Sequence, residues 1–191
     1  MRAIVLASAS PRRKQLLEQL GLKFIVNPSE CSEELSADSE PHSLARAISL
    51  EKAKRVVSRH KDAVVIAADT FGVFEGHIIG KPRNAAEARD ILTALSGRCH
   101  SVVTGFSVAD TRTGRITTSS VETRVFMKCL TPVEIDAYVK SGEPLDKAGA
   151  YAIQGLGATI VERIEGDFFN VVGLPLFALC RILEEFDIKI L

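Results

Sequence analysis

Residues 4–13 read Ile-Val-Leu-Ala-Ser-Ala-Ser-Pro-Arg-Arg and join the first predicted strand to the first predicted helix. The apolar run 4–7 is typical of a short buried strand, and the Ser10-Pro11 pair is typical of a capped helix start. Leucines at 16, 17 and 20 then repeat at helical spacing up to Gly21. A strand that leads directly into a helix favours an α/β protein.

The same stretch places Arg12 and Arg13 in the first turn of the helix. Free amides and the positive end of the helix dipole disfavour cations there by up to about 1 kcal/mol each. In contrast, residues 131–134 read Thr-Pro-Val-Glu and start another helix with an acidic residue in its first turn. Two guanidinium groups beside two hydroxyls predict a phosphate site. The alternative is that both arginines lie in solvent or pair with surface carboxylates.

The rest of the chain continues the alternation of strands and helices. Further strands are predicted at 23–26, 63–68, 100–109, 116–126 and 159–164, and a hairpin-like return at 76–80. Further helices are predicted at 43–60, after an Asn84 cap, after Thr131 and at 176–186. This order predicts an α/β fold with a mixed, twisted sheet flanked by helices, in one domain that spans residues 1–191.

Composition narrows the classes of function. The chain has 191 residues, of which 46% are hydrophobic, and its 24 basic side chains balance 24 acidic ones. We therefore expect neither nucleic acid nor a membrane as a partner. The four cysteines are far apart in the sequence, as in proteins of a reducing compartment. With neither a secretory signal nor a membrane anchor in view, the expected location is the cytoplasm.

Asp69 and Lys52 are the polar exceptions in two apolar patterns. Asp69 follows the apolar run 63–68, and we expect the strand to stop there, so that its carboxylate could hold a cation or take a proton from water. The alternative role for Asp69 is a turn or helix cap. Lys52 lies in a helical row with Leu44, Ile48 and Val56, and its stem could also lie along the edge of the core.

Two later segments present polar side chains from constrained backbone. Lys81 stands between Gly80 and Pro82, although a solvated loop lysine is the usual alternative. The glycine-rich stretch 142–157 contains Gln154, whose amide can donate and accept one hydrogen bond each, as the imide edge of uracil or thymine requires. Turn chemistry explains the glycines equally well. His100 and Tyr151 are expected to be packed rather than catalytic.

Taken together, six blocks of the chain strongly resemble the Maf family of nucleoside triphosphate pyrophosphatases. They are Ser8-Ala9-Ser10-Pro11-Arg12-Arg13, Ala68-Asp69-Thr70, Gly80-Lys81-Pro82, Leu95-Ser96-Gly97-Arg98, the run from Asp146 to Gly155, and the run from Asn170 to Pro175. The form of the block that ends in Gln154-Gly155 resembles the branch that acts on dTTP and UTP. The resemblance implies a two-lobed architecture with a central cleft, related to the ITPase fold.

The resemblance also implies an activity and a role for each matching residue. The expected enzyme is a cytoplasmic homodimer that cleaves a nucleoside triphosphate between its α and β phosphates with Mg²⁺ or Mn²⁺. The implied substrate-binding residues are Ser8, Arg12, Arg13, Lys52, Thr70 and Gln154. The implied catalytic residues are Asp69, Lys81 and Glu33, of which Glu33 and Asp69 would hold the metal.

Two other functions share the cationic cluster. The first is a nucleotide-binding regulator of cell division that does not turn its ligand over, from which a base and a metal site would distinguish an enzyme. The second is a pyrophosphatase for purine analogues such as ITP, for which Gln154 is the discriminating residue.

Overall fold

The computed structural model describes residues 2–29 and 40–191, and within them the chain alternates strands and helices. The strands are β1 Ala3–Leu6, β2 Ile25–Val26, β3 Ala63–Phe74, β4 His77–Ile79, β5 Cys99–Asp110, β6 Ile116–Met127 and β7 Val161–Glu165. The helices are α1 Pro11–Gln19, α2 Pro41–Val57, α3 Ala85–Leu95, α4 Pro132–Lys140, α5 Phe168–Val172 and α6 Leu176–Glu184. Short 3₁₀ turns span Glu143–Asp146, Ala148–Ala150 and Gly155–Thr159.

All of these strands belong to one sheet of mixed direction. Its order is β2-β1-β3-β5-β6-β7, and β4 pairs with β3. Strand β1 is parallel to both neighbours, with Val5 opposite Ile25 and Val65. Strand β4 is antiparallel to β3, and β7 is antiparallel to β6. The predicted α/β fold with a mixed sheet flanked by helices is therefore confirmed.

The chain divides into two compact units. The first unit comprises 1–69, 104–121 and 173–191, and the second comprises 70–103 and 122–172. Three of the boundaries between them fall inside β3, β5 and β6, and the fourth follows the end of α5.

Each unit has an apolar core of its own. The core of the first unit is built on β1 and β3, which are apolar in nearly every position because both faces of these central strands are covered. Its buried members are Val5, Ala7, Ala53, Val56, Ala63, Val65, Ala67 and Ala109. The core of the second unit lies around α3 and α4 and includes Leu92, Leu95, Ile135, Tyr138 and Tyr151.

Several local signals in the sequence give the elements that they predict. Ser10 and Asn84 cap α1 and α3, and Thr131 with Glu134 forms the reciprocal capping box of α4. The predicted return at 76–80 is a hairpin between β3 and β4. No helix in the described part of the chain is both long and apolar enough to cross a bilayer.

Several predicted boundaries are wrong by two residues or more, and for two of them the structure shows the cause. Helix α2 begins at Pro41, because the side chain of Glu40 accepts the amides of residues 42 and 43 as its N-cap. Strand β3 does not stop at Asp69 but continues to Phe74, because its last residues pair with β4 and Phe71 is buried. Asp69 therefore lies within a strand and not beyond its end.

Candidate active site

The N-terminus of α1 holds Arg13 in a defined position. The Ser8 hydroxyl accepts hydrogen bonds from the Ser10 amide and from Nη1 of Arg13, both at 3.2 Å. Nε of Arg13 also donates to the carbonyl oxygen of Gly173 at 2.8 Å. Each of these residues belongs to the first unit. The guanidinium group is thus fixed beside the first helical turn, which is the geometry that a bound anion requires.

Arg12 lies in the same turn and is half-buried. The first turn of α1 contains no acidic residue, so the cost of two cations near the positive end of the helix dipole is not offset within the helix. Both arginines are half-buried, so neither side chain is fully solvated.

Lys52 and Asp69 form a buried ion pair in the first unit. Nζ of Lys52 lies 2.6 Å from Oδ1 of Asp69, and their side chains are only 10% and 7% exposed. Lys52 is on the core-facing side of α2 with Leu44 and Val56, and Asp69 is on the adjoining part of β3. A carboxylate in this position can accept a proton from water or bind a cation.

Asp69 and its neighbour Thr70 differ in exposure. Asp69 is 5% exposed, whereas Thr70, the first residue of the second unit, is half-buried. The alternative role of Asp69 as a turn or helix cap is wrong, because the residue stands inside a continuous strand.

The second unit carries Lys81 on a short loop after β4. The carbonyl oxygen of Gly80 accepts the amide of Gly149 at 3.0 Å, which ties this loop to the glycine-rich stretch 142–157. Pro82 is buried and Lys81 is exposed. The backbone of Lys81 is thus held on both sides while its side chain is presented outward.

Gln154 is also exposed, at the start of the 3₁₀ turn Gly155–Thr159. His100 and Tyr151, from the same unit, are packed as expected: they are 4% and 6% exposed, and Nε2 of His100 shares a hydrogen bond of 2.8 Å with the Tyr151 hydroxyl. Burial lowers the pKa of His100 to about 4, so the ring is neutral at physiological pH.

Two features of these sites were not found in the sequence. The bond from Arg13 to Gly173 joins residues 160 positions apart, and no local pattern links them. The side chains of Tyr138 and Glu143 hold the backbone around Gln154. A glutamate that follows a helix and a glycine looks like an ordinary surface residue, so only the fold shows its contacts.

The predicted metal ligands fit the chemistry of a hard cation. Carboxylate oxygens suit Mg²⁺ or Mn²⁺, and the buried carboxylate of Asp69 is such a donor. Glu33 lies outside the described residues. Across residues 2–29 and 40–191, no group of three or more His, Cys, Asp and Glu side chains is placed to hold a metal ion.

Comparison with solved structures supports the fold class. The chain is similar to the structure of a HAM1 protein from Coxiella burnetii, with a TM-score of 0.55 and 17% sequence identity, over 97% of this chain and 100% of that chain. At this level of identity, the likeness shows the fold alone.

Comparison of sequences defines the family. The Maf-like protein family matches residues 3–186, and the chain belongs to this family. It is 47% identical to the dTTP/UTP pyrophosphatase of Moorella thermoacetica, over 100% of this chain and 98% of the relative. It is 48% identical to the dTTP/UTP pyrophosphatase of Methanosarcina barkeri, over 100% and 97% of the two chains.

Proposed function

We propose that the protein hydrolyses dTTP and UTP between the α and β phosphates, giving the nucleoside monophosphate and pyrophosphate. The observation that carries this proposal is the buried Lys52–Asp69 pair, with Nζ and Oδ1 2.6 Å apart, in a chain whose relatives are named for that activity. A regulator that only binds nucleotide does not need a base that activates water. The cellular role that we propose is removal of these nucleotides from the pool.

Phosphate binding is assigned to the cationic groups. Arg13 is fixed by the Ser8 hydroxyl and the Gly173 carbonyl oxygen, and Arg12 lies in the same helical turn. Their guanidinium groups at the N-terminus of α1 provide donors that match phosphate oxygens. We assign Lys81, exposed on its constrained loop, as a further ligand of the phosphate chain.

Water activation is assigned to Asp69. In phosphoryl chemistry a protein mainly positions the reactants and stabilises charge, and a carboxylate orients water and takes its proton. The ammonium group of Lys52 holds the carboxylate in place, and it also adds positive charge for the triphosphate. A divalent cation held by Asp69 and Glu33 would supply further charge neutralisation at the phosphates.

Base recognition is assigned to Gln154 and Thr70. The side-chain amide of Gln154 offers one acceptor oxygen and an N–H donor, the complement of the imide N–H and carbonyl oxygen of thymine and uracil. Cytosine has an amino donor in place of that carbonyl and an N3 acceptor in place of the imide N–H, so it mismatches this orientation of the amide. The exposed position of Gln154 leaves its amide available to a ligand.

Location and assembly complete the proposal. The described cysteines, Cys99, Cys129 and Cys180, are free thiols, as expected in a reducing cytoplasm. A homodimer is proposed from the resemblance to the family. Analytical ultracentrifugation tests it directly, since a monomeric mass at micromolar concentration would contradict a stable dimer.

The experiment that tests the proposed role of Asp69 is the substitution Asp69→Asn. The amide oxygen can still accept from Lys52, but it cannot take a proton from water. We expect kcat for dTTP to fall by about 10²- to 10⁴-fold, with the dissociation constant for dTTP within a few-fold of wild type. Steady-state kinetics and titration calorimetry measure the two quantities.

The matched control is Asp90→Asn, which makes the same change on an exposed position of α3 and is expected to leave both quantities unchanged. Hydrolysis of dTTP by Asp69→Asn at the wild-type rate would contradict the assigned role.

A further inference from the structure

The backbone that carries Gln154 is anchored on its N-terminal side by a tyrosine. The amide of Ala152 donates a hydrogen bond of 3.1 Å to the hydroxyl oxygen of Tyr138. This hydroxyl in turn donates to Oε1 of Glu143 at 2.8 Å. Tyr138 belongs to α4 and is 6% exposed, so the anchor itself is held by the core of the second unit.

A glutamate anchors the same backbone on its C-terminal side. Both carboxylate oxygens of Glu143 are used: Oε2 accepts the Leu156 amide at 3.1 Å, and Oε1 accepts the Gly157 amide at 2.9 Å. Because Tyr138 binds the same carboxylate, the two anchors form one unit. Gln154 stands midway between the anchored amides. We call Tyr138 and Glu143 the loop clamp.

The backbone lies directly against this clamp. A Cβ atom on Gly157 would lie 2.0 Å from the carbonyl oxygen of Ala152 and 2.7 Å from the Tyr138 hydroxyl. A Cβ atom on Gly155 would lie 2.6 Å from Oε2 of Glu143, and Gly155 has a φ of +67°. Gly155 and Gly157 therefore have no room for a side chain, because their backbone lies against the loop clamp. The positive φ of Gly155 is a second reason for glycine at that position.

The charge states suit this arrangement. Burial alone would raise the pKa of Glu143, but the Tyr138 hydroxyl, the two backbone amides and Lys147 outweigh burial and lower it. Burial raises the pKa of Tyr138, and its bond to the Glu143 carboxylate raises it further. At neutral pH the tyrosine is therefore a donor and the glutamate an ionised acceptor of three hydrogen bonds.

We propose that Tyr138 and Glu143 are positioning residues that set nucleobase selectivity by fixing the backbone on both sides of Gln154. The proposal rests on the function assigned above, in which Gln154 reads the base. A side chain can discriminate donor from acceptor only if its amide is held in one orientation. Gln154 is exposed, and the loop clamp acts on the backbone from which its side chain extends.

The direct test is Glu143→Gln. Glutamine has one acceptor oxygen and one N–H₂ group, so one of the two amides that Glu143 accepts would face a donor. We expect the ratio of kcat/KM for dTTP to kcat/KM for dCTP to fall by about tenfold, roughly the discrimination that one hydrogen bond provides. The kcat/KM for dCTP should stay within about twofold, because the phosphate ligands are untouched.

A matched control makes the same substitution on α4, outside the loop clamp. Glu134 accepts the Thr131 amide in the capping box, and Glu134→Gln should leave the selectivity ratio unchanged while lowering stability slightly. A second variant, Tyr138→Phe, keeps the buried ring and removes only the hydroxyl. It should shift the ratio in the same direction as Glu143→Gln, and it provides the test if Glu143→Gln does not fold.

A double-mutant cycle separates positioning from general support of the fold. In a Gln154→Ala background, Glu143→Gln should leave the selectivity ratio unchanged, because the residue through which it acts is gone. Hydrogen exchange supplies a readout independent of activity: the amides of Leu156 and Gly157 should exchange faster in Glu143→Gln, and those of α3 should not.

Two results would overturn the positioning role. One is an unchanged selectivity ratio in Glu143→Gln although the two amides exchange faster. The other is a fall in the selectivity ratio on Glu143→Gln that is equally large in the wild-type and the Gln154→Ala backgrounds. Failure of the proposed function would give a different result, because the wild-type protein would then hydrolyse neither dTTP nor dCTP. The proposed selectivity role would then be wrong as well.

Discussion

Lys52 and Asp69 lie 17 positions apart in the chain, and each stands out as a polar residue in an apolar pattern. The sequence therefore predicts that both matter, and the family resemblance implies that they share a site, but no local pattern predicts their ion pair. Their pairing depends on how α2 packs along β3, which no local pattern contains. The arginines of α1 behave in the same way: their helical turn is predictable from Ser10 and Pro11, whereas the bond from Arg13 to Gly173 is not.

His100 makes the stability of the protein depend on pH. Its pKa is lowered by burial from 6.5 to about 4, so below pH 6.5 the unfolded chain binds a proton that the folded chain does not. The free energy of unfolding should therefore fall as pH falls, with His100 contributing a loss of about 2 kcal/mol between pH 7 and pH 5. Above pH 7 the ring is neutral in both the folded and the unfolded chain, so His100 no longer changes the free energy of unfolding.

Urea denaturation at several pH values measures this effect, with His100→Gln as the comparison. The variant should lack this part of the slope between pH 7 and pH 5, where carboxylates of ordinary pKa stay ionised in both states. Parallel profiles for the two proteins would show that the buried ring is not the cause.

At the scale of the elements, the periodic patterns locate the helices and strands well, and their ends less well. Helix α3 and helix α4 start at the caps that the sequence indicates, because asparagine and threonine are strong N-caps. Helix α2 starts two residues before the predicted position, because a glutamate fills the cap. The short helix α5 was not predicted, since five residues are too few to show a period.

Gly105 gives a prediction about the packing of α2 on β5. A Cβ atom at Gly105 would lie 2.1 Å from the backbone carbonyl of Ala45, so the helix can approach the strand only because glycine has no side chain. We expect Gly105→Ala to lower the free energy of unfolding by about 3 kcal/mol, the upper part of the range for overpacked cores. Chemical denaturation measures it.

Gly72→Ala is the matched control, because it also adds a methyl group to a glycine within a strand. Its Cβ atom would meet Ile79 at an ordinary 3.6 Å, and the expected loss is under about 1 kcal/mol. Equal effects of the two substitutions would contradict the close approach of α2 to β5.

At the scale of the whole molecule, the order of strands and helices is enough to predict an α/β fold with a mixed sheet. It does not give the strand order β2-β1-β3-β5-β6-β7, because pairing between distant strands depends on long-range contacts. Nor does it give the division into two units, because three of the four boundaries lie inside long strands. The extension of β3 past Asp69 has the same origin, since pairing with β4 supports it.

The measurement that tests the central claim most directly is product analysis by ³¹P NMR, with the purified protein, Mg²⁺ or Mn²⁺, and a panel of nucleoside triphosphates. The account predicts that dTTP and UTP are turned over fastest and give the nucleoside monophosphate and pyrophosphate. Release of inorganic phosphate with the nucleoside diphosphate, or no turnover of either nucleotide, would contradict it.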